Sequence, residues 1–184
     1  MPGMYIQIGK AREHDFTQPL GLMKDCHRRI ERFLGALGRL AEAGGVLGPE
    51  ERNALEASLR YFREAAPHHT ADEEDSLFPR MRAVGGPEAE EALRRLEEDH
   101  VRAGLLHAET DALFQRWLTE GALPPEEFAV LRERMAGLEA LYARHIAVED
   151  AEIFPLAAQL LAPGELSEVG REMARRRGVG TERS

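Results

Sequence analysis

Cysteine occurs once in the 184 residues, as Cys26, which excludes an intramolecular disulfide framework and a thiolate metal cluster within one chain. Valine, isoleucine and threonine are scarce, so little of the chain favours strands. No apolar run approaches the roughly 20 residues that a membrane span requires, and the opening "MPGMYIQIGKAREHDF" lacks the apolar core of a signal peptide. Basic residues are in deficit: 24 Lys and Arg face 33 Asp and Glu, for a formal charge of −9. That balance argues against the electrostatics of nucleic-acid binding. The expected setting is the cytoplasm, with no nucleic-acid or membrane partner, and the expected assembly is a monomer or weak homo-oligomer.

What is abundant points to helix. Glutamate, leucine, alanine and arginine dominate, all strong helix formers, and the 43% apolar and 31% charged content suits a single globular domain over 1–184. Prolines before acidic residues at Pro49, Pro87 and Pro125 mark helix starts, because proline fits the first helical position and early carboxylates complement the helix dipole. Glycines near 44, 85, 121 and 164 mark ends. These signals predict helices near 19–43, 49–83, 87–119 and 125–161. A short C-terminal helical segment near 164–178 and an irregular N-terminal arm over residues 1–18 complete the chain. Pro67 should kink or break the second helix, and Pro79 and Pro155 should bend or end their last turns. Apolar residues at steps of three and four, such as Leu20, Met23, Ile30, Leu34 and Leu37, predict an all-α, antiparallel up-down four-helix bundle.

One segment occurs twice. "HTADEEDSLFP" from His69 and "HIAVEDAEIFP" from His145 share His, Ala, Glu, Phe and Pro positions, with Glu74 matched by Asp150. Each places a histidine and a glutamate four apart on one helical face, within an otherwise apolar stripe. Histidine also interrupts the other two stripes, at His27 and His100. Counting from the connections, His27 lies about 17 residues before the first and His69 about 20 after it, a mismatch under one helical turn. The later connections give similar agreement, so all four histidines should meet at one depth, with Glu73 and Glu149 beside them.

Two carboxylates facing each other in an apolar core are costly unless neutralised. A bridged metal pair solves this, with His27, His69, His100 and His145 as terminal ligands and Glu73 and Glu149 bridging. Two six-coordinate metals have about twelve positions, so some stay open. Imidazole and carboxylate without thiolate suit iron, with manganese or zinc ranked behind it. The expected cofactor is two iron ions, oxo- or hydroxo-bridged.

Weaker candidates surround this set. Tyr142, one turn before His145, could ligate or hydrogen-bond to a metal-bound group. His107, two turns beyond His100, could line an access path, although a structural role is favoured. His68 points about 100° away from His69. Glu31 echoes the HxxxE spacing after His27. Asp150 and Glu152 are lesser carboxylate candidates than Glu149. Glu97-x-x-His100 mimics half of a ferritin-type motif but occurs once. Cys26 should be rotated away from the centre and packed on a neighbouring helix. Arg175 to Arg177 could attract an anion or simply stabilise a helix end.

The order His27, His69-x-x-x-Glu73, His100, His145-x-x-x-Glu149 resembles the hemerythrin-like, or HHE cation-binding, domain over nearly all of the chain, including both "FP" tails and the closing "EMARRRG". The resemblance implies a four-helix bundle around a non-haem di-iron centre. Hemerythrins bind dioxygen reversibly, while the wider family includes iron-centre repair proteins and sensors of oxygen, iron or nitric oxide. Four histidines and two bridging glutamates resemble the repair branch most closely, although the cysteine-bearing amino-terminal domain of many repair proteins has no counterpart in this sequence. Two departures from the oxygen carriers matter. Gly104 stands where they place a second histidine one turn after the third-helix ligand. Their helix-four aspartate corresponds to Asp150, yet Glu149 fits the HxxxE spacing better. The first departure should leave one metal more open, which favours a reactive centre over oxygen storage. The resulting expectation is a protein that binds or reacts with dioxygen, nitric oxide or peroxide, or handles iron in redox stress. The alternatives are a di-iron oxidase or peroxidase, or an iron-dependent sensor.

Overall fold

A computed structural model describes residues 13–180, and the first part of the expected N-terminal arm lies outside them. Among the described residues every regular element is helical. Helix α1 spans Pro19–Ala43 and α2 spans Pro49–Arg60. The second stretch continues through a π-helical turn at Tyr61–Ala65, α3 at Ala66–Asp72 and a second π turn at Glu73–Leu77. Then come α4, Phe78–Glu120, and α5, Pro125–Val148. A third π turn at Glu149–Ile153 leads into α6, Phe154–Leu160, and α7 spans Pro163–Arg176.

Side-chain pairs fix how these stretches lie. Phe33 stacks on Tyr61 and His27 meets His69 edge-on, so α1 and the α2–α3 stretch run in opposite senses. Arg82 with Glu97, and Arg63 with Asp111, pair the second stretch, which runs into α4 as far as Gly86, with the part of α4 beyond that glycine in the same manner. Arg144 with Asp99 and Arg116 with Glu127 do so for α4 and α5. Lys24 with Asp150 and Arg132 with Ala41 close the ring between α1 and α5. Neighbouring helices thus alternate in direction around a four-membered ring.

The turn between the second and third stretches is compressed into one residue. Gly86, at φ 72°, interrupts α4, and Pro87 restarts the helix. A positive φ is readily adopted only by glycine, which is why the reversal falls there.

At the three internal prolines the break or stop that the sequence allowed does not occur. None breaks or ends its helix. Each lies in the first turn after a π turn, in the pairs Tyr61–Ala65 with Pro67, Glu73–Leu77 with Pro79, and Glu149–Ile153 with Pro155. The residue closing each π turn bonds back five positions, as Phe78 does to Glu73 and Phe154 to Glu149. This one-residue widening absorbs the amide that the next proline lacks, so the rod stays continuous.

Two apolar clusters fill the interior. One gathers Leu37, Leu59, Phe114, Trp117, Leu131 and Leu138 near the α1–α2 connection. The other gathers Met23, Leu77, Phe78, Leu93, Phe154 and Met173 at the opposite end. Burying each such side chain contributes about 1.5–3 kcal/mol. Helix α7 caps the second cluster with Val169 and Met173, and Gly170 admits the chain at Phe16, whose carbonyl oxygen would lie 1.9 Å from an added Cβ. Between the two clusters lies a layer of polar side chains.

Candidate metal centre

The polar layer contains the six residues singled out by the repeat and the histidine levels. His27, Glu73 and Glu149 are fully buried, His69 and His145 nearly so, and the His100 side chain is 10% exposed. His27 Nε2 lies 3.1 Å from Glu149 Oε2 and 3.8 Å from Glu73 Oε1. His69 Nε2 is 3.2 Å from Glu73 Oε1, and His100 Nε2 is 3.4 Å from Glu73 Oε2. His145 Nε2 is 3.2 Å from Glu149 Oε2. Glu73 therefore turns one oxygen to His27 and His69 and the other to His100.

These atoms form two overlapping groups, each compact enough to hold a cation. His27, His69, Glu73 and Glu149 make one, and Glu73, His100, His145 and Glu149 make the other. Both glutamates belong to both groups. Glu73 and Glu149 each open a π turn, and such insertions in a helix are frequent at functional sites.

Imidazole orientation is set from outside. Asp150 Oδ1 lies 2.8 Å from His27 Nδ1, and Glu74 Oε1 lies 2.7 Å from His100 Nδ1. Those carboxylates hold the outer nitrogens and leave each Nε2 facing inward, as an outer partner does for a metal-ligating histidine. Asp99 Oδ2 stands 3.7 Å from His145 Nδ1. Arg28 and the backbone carbonyl bond to Lys24 anchor Asp150 in turn. Glu74 and Asp150 occupy equivalent places in the repeated segment, so each repeat orients a histidine on another helix. Glu74 and Asp99 escaped the sequence reading; the Glu74/Asp150 equivalence was the available signal.

The electrostatics call for positive charge. Both oxygens of Glu73, both of Glu149 and His27 Nε2 are buried without a hydrogen-bond partner. Only the facing histidines balance these two buried carboxylates, and a divalent cation among them would supply the positive charge instead. Burial opposes charge on His27, but Asp150, Glu149 and Glu73 outweigh it and push its pKa up to about 11. His100 is likewise raised to about 9 against burial, by Glu73 and Glu74. Glu73 is held well below the ordinary carboxylate range, because His69, His100 and His27 overcome its burial.

The remaining candidates divide. Tyr142 and His107 are joined, with the Tyr142 hydroxyl 3.0 Å from His107 Nε2. Burial lowers the His107 pKa to about 4, so its imidazole is neutral near pH 7. Glu31 is not brought to the centre: it is a surface residue 2.8 Å from Arg28, because its side chain leaves the inward face of α1. Glu152 is exposed, and Glu97 pairs with Arg82. His68 is half-buried, outside both groups.

Cys26 and the arginine run remain. Cys26 lies outside both cation-holding groups; it is buried, its thiol interacts with His69 of α3, and Arg29 donates to its Sγ at 2.9 Å. Burial opposes ionisation, yet His69 and Arg29 hold the Cys26 thiol below its usual range. Of the two readings of the arginine run, the helix-end one fits, since Arg175 and Arg176 lie in the last turn of α7, and Arg176 and Arg177 are engaged rather than open. Both grip the fully buried Asp72, at 3.0 and 2.6 Å, directly behind Glu73.

A helical bundle with two joined histidine–carboxylate groups in a buried middle layer defines a cation-binding bundle. The family model for the hemerythrin HHE cation binding domain matches residues 18–157, and the chain belongs to that family. It is also similar to an "Uncharacterized protein" of Haemophilus influenzae (strain ATCC 51907 / DSM 11121 / KW20 / Rd). The two are 28% identical over 166 residues, which covers 89% of this chain and 92% of that protein.

Proposed function

We propose that the chain is a non-haem di-iron protein that binds or reacts with dioxygen, nitric oxide or peroxide. In this reading His27 and His69 serve one metal, His100 and His145 the other, and Glu73 and Glu149 bridge them. The observation that carries it is the sharing of both glutamates by two four-residue groups, which suits two adjacent ions better than one. A donor set of imidazole and carboxylate favours iron. Iron held there would supply a redox centre for a small ligand.

The protein's own part is positioning and exclusion of water. Asp150 and Glu74 fix two imidazoles, and the apolar clusters above and below keep the layer dry. A lone, buried cysteine and an acidic surface suit the reducing cytoplasm. A second reading is a di-iron oxidase or peroxidase, which steady peroxide consumption with an added reductant would distinguish.

The test is metal content with visible absorption of the purified protein in air. Two irons per chain are expected, with the absorption lost in Glu149→Ala. Protein that takes up no transition metal after anaerobic iron loading would overturn the proposal.

A further inference from the structure

A pocket of about 350 Å³ opens between the α2–α3 stretch and α4. Phe62, Ala71, Gly104, His100 and Tyr142 are among the residues that line it. The space has a local cause. The π turn at Tyr61–Ala65 and Pro67 reshape the second stretch beside it, and the facing residues of α4 are as small as Ala103 and Gly104. A Cβ added at Gly104 would meet nothing within 4 Å, so this space is not filled by a neighbour.

The two halves of the centre differ in access. The His27 and His69 side is backed by α7, where Arg176 and Arg177 clamp Asp72, and the His27 side chain has no exposure. His100, on the other side, is the most exposed of the four histidines, at 10% against 6% for His69 and 3% for His145. The pocket reaches His100 and none of the other three.

The pocket's lining also selects by charge. It includes Glu74 and Asp75 and no lysine or arginine, within a chain of net charge −9. Anions are repelled from such a cleft, and uncharged molecules are not. Its uncharged polar lining comprises Thr70, His107 and Tyr142, and the last two are joined, with the Tyr142 hydroxyl 3.0 Å from His107 Nε2.

We infer that this pocket is the access chamber for an uncharged small molecule. It delivers the molecule to the His100–His145 half of the centre only, and the Tyr142 hydroxyl is the group that meets it there. The inference rests on the metal-binding reading for its destination, but the chamber itself does not. Tyr142 acts as a positioning residue, holding the incoming molecule by a hydrogen bond.

Two measurements test it. The first uses iron-loaded, anaerobic protein with nitric oxide as the neutral probe and azide as the anionic one. Gly104→Leu should slow nitric oxide association about tenfold with iron content unchanged. Tyr142→Phe should speed nitric oxide release severalfold with little change in association. Azide should associate more slowly than nitric oxide, and raised salt should narrow the gap by screening the acidic rim. Equal nitric oxide rates in wild type and Gly104→Leu, at equal iron content, would overturn the inference while leaving the di-iron reading intact. If Gly104→Leu fails to retain iron, Ala71→Leu narrows the pocket from the opposite wall and is read the same way.

The second measurement needs no metal. Xenon applied to the protein as purified should shift the NMR signals of the Ala71 and Ala103 methyl groups, since apolar cavities take up xenon, and Gly104→Leu should abolish the shift. Absence of any xenon response in the wild type would overturn the chamber whether or not iron binds.

Discussion

At the residue scale, the centre depends on side chains that touch no ligand site directly. Glu74 and Asp150 hold His100 and His27 by their outer nitrogens, at 2.7 and 2.8 Å. Loss of such an outer partner lowers metal affinity by about 10- to 100-fold. Glu74→Ala and Asp150→Ala should each show that loss in a competition titration with a metal chelator, while Glu152→Ala, at an exposed position in the same π turn as Glu149, should leave affinity unchanged. The Glu152 comparison matters because the sequence alone placed three acidic residues in "HIAVEDAEIFP" near the centre. Glu149 faces inward, Asp150 reaches across to α1, and Glu152 turns outward. The difference comes from the π turn that starts at Glu149 and winds the following residues out of α-helical register.

At the scale of elements, most boundaries were readable because proline, glycine and early carboxylates punctuate them. The observed α1 at Pro19–Ala43 coincides with its expected limits, and the other bundle stretches depart little from theirs. The π turns were not readable. Proline at 67, 79 and 155 carries the same signal whether a helix ends or widens by one residue, and only backbone geometry separates the two. The role of α7 was hidden for a related reason. A run of arginines reads as a solvated helix end until the fold brings the buried Asp72 against it. Asp72 is fully buried, and Arg176 and Arg177 are its charged partners. Removing both arginines strands a carboxylate in the core, so Arg176→Ala/Arg177→Ala should cost about 3 kcal/mol in urea denaturation. Asp72 is adjacent to Glu73, so the same variant should also weaken metal retention. Replacing Arg175, which pairs with Glu168 on the surface, should do neither.

At the scale of the whole molecule, the bundle is built to hold charge in its middle and must be supplied with it by protons or by metal. Without a cation, His27 at about 11 and His100 at about 9 both stay protonated at neutral pH, held so by the surrounding carboxylates despite burial. Metal ligation requires neutral imidazole, so loading must expel those protons. Calorimetric titration at pH 7 in buffers of different ionisation enthalpy should report about two protons released per loaded centre. Affinity should rise with pH, more steeply below about 9, where both histidines must lose a proton, than between about 9 and about 11. Stability should follow the opposite sign. An unfolded histidine titrates near 6.5, so between that pH and the raised folded values the native state holds more protons than the unfolded one. The stability these histidines contribute is therefore complete below about pH 6.5 and lost as pH climbs through about 9 and then about 11. Metal-free protein should melt progressively lower from pH 7 to pH 10. Loaded protein should escape that decline, because a cation at 100 times its dissociation constant adds about 2.7 kcal/mol and takes the place of the protons. Melting curves that fall in parallel for loaded and metal-free protein over that range would mean that the cation does not sit among His27, His100 and the two glutamates.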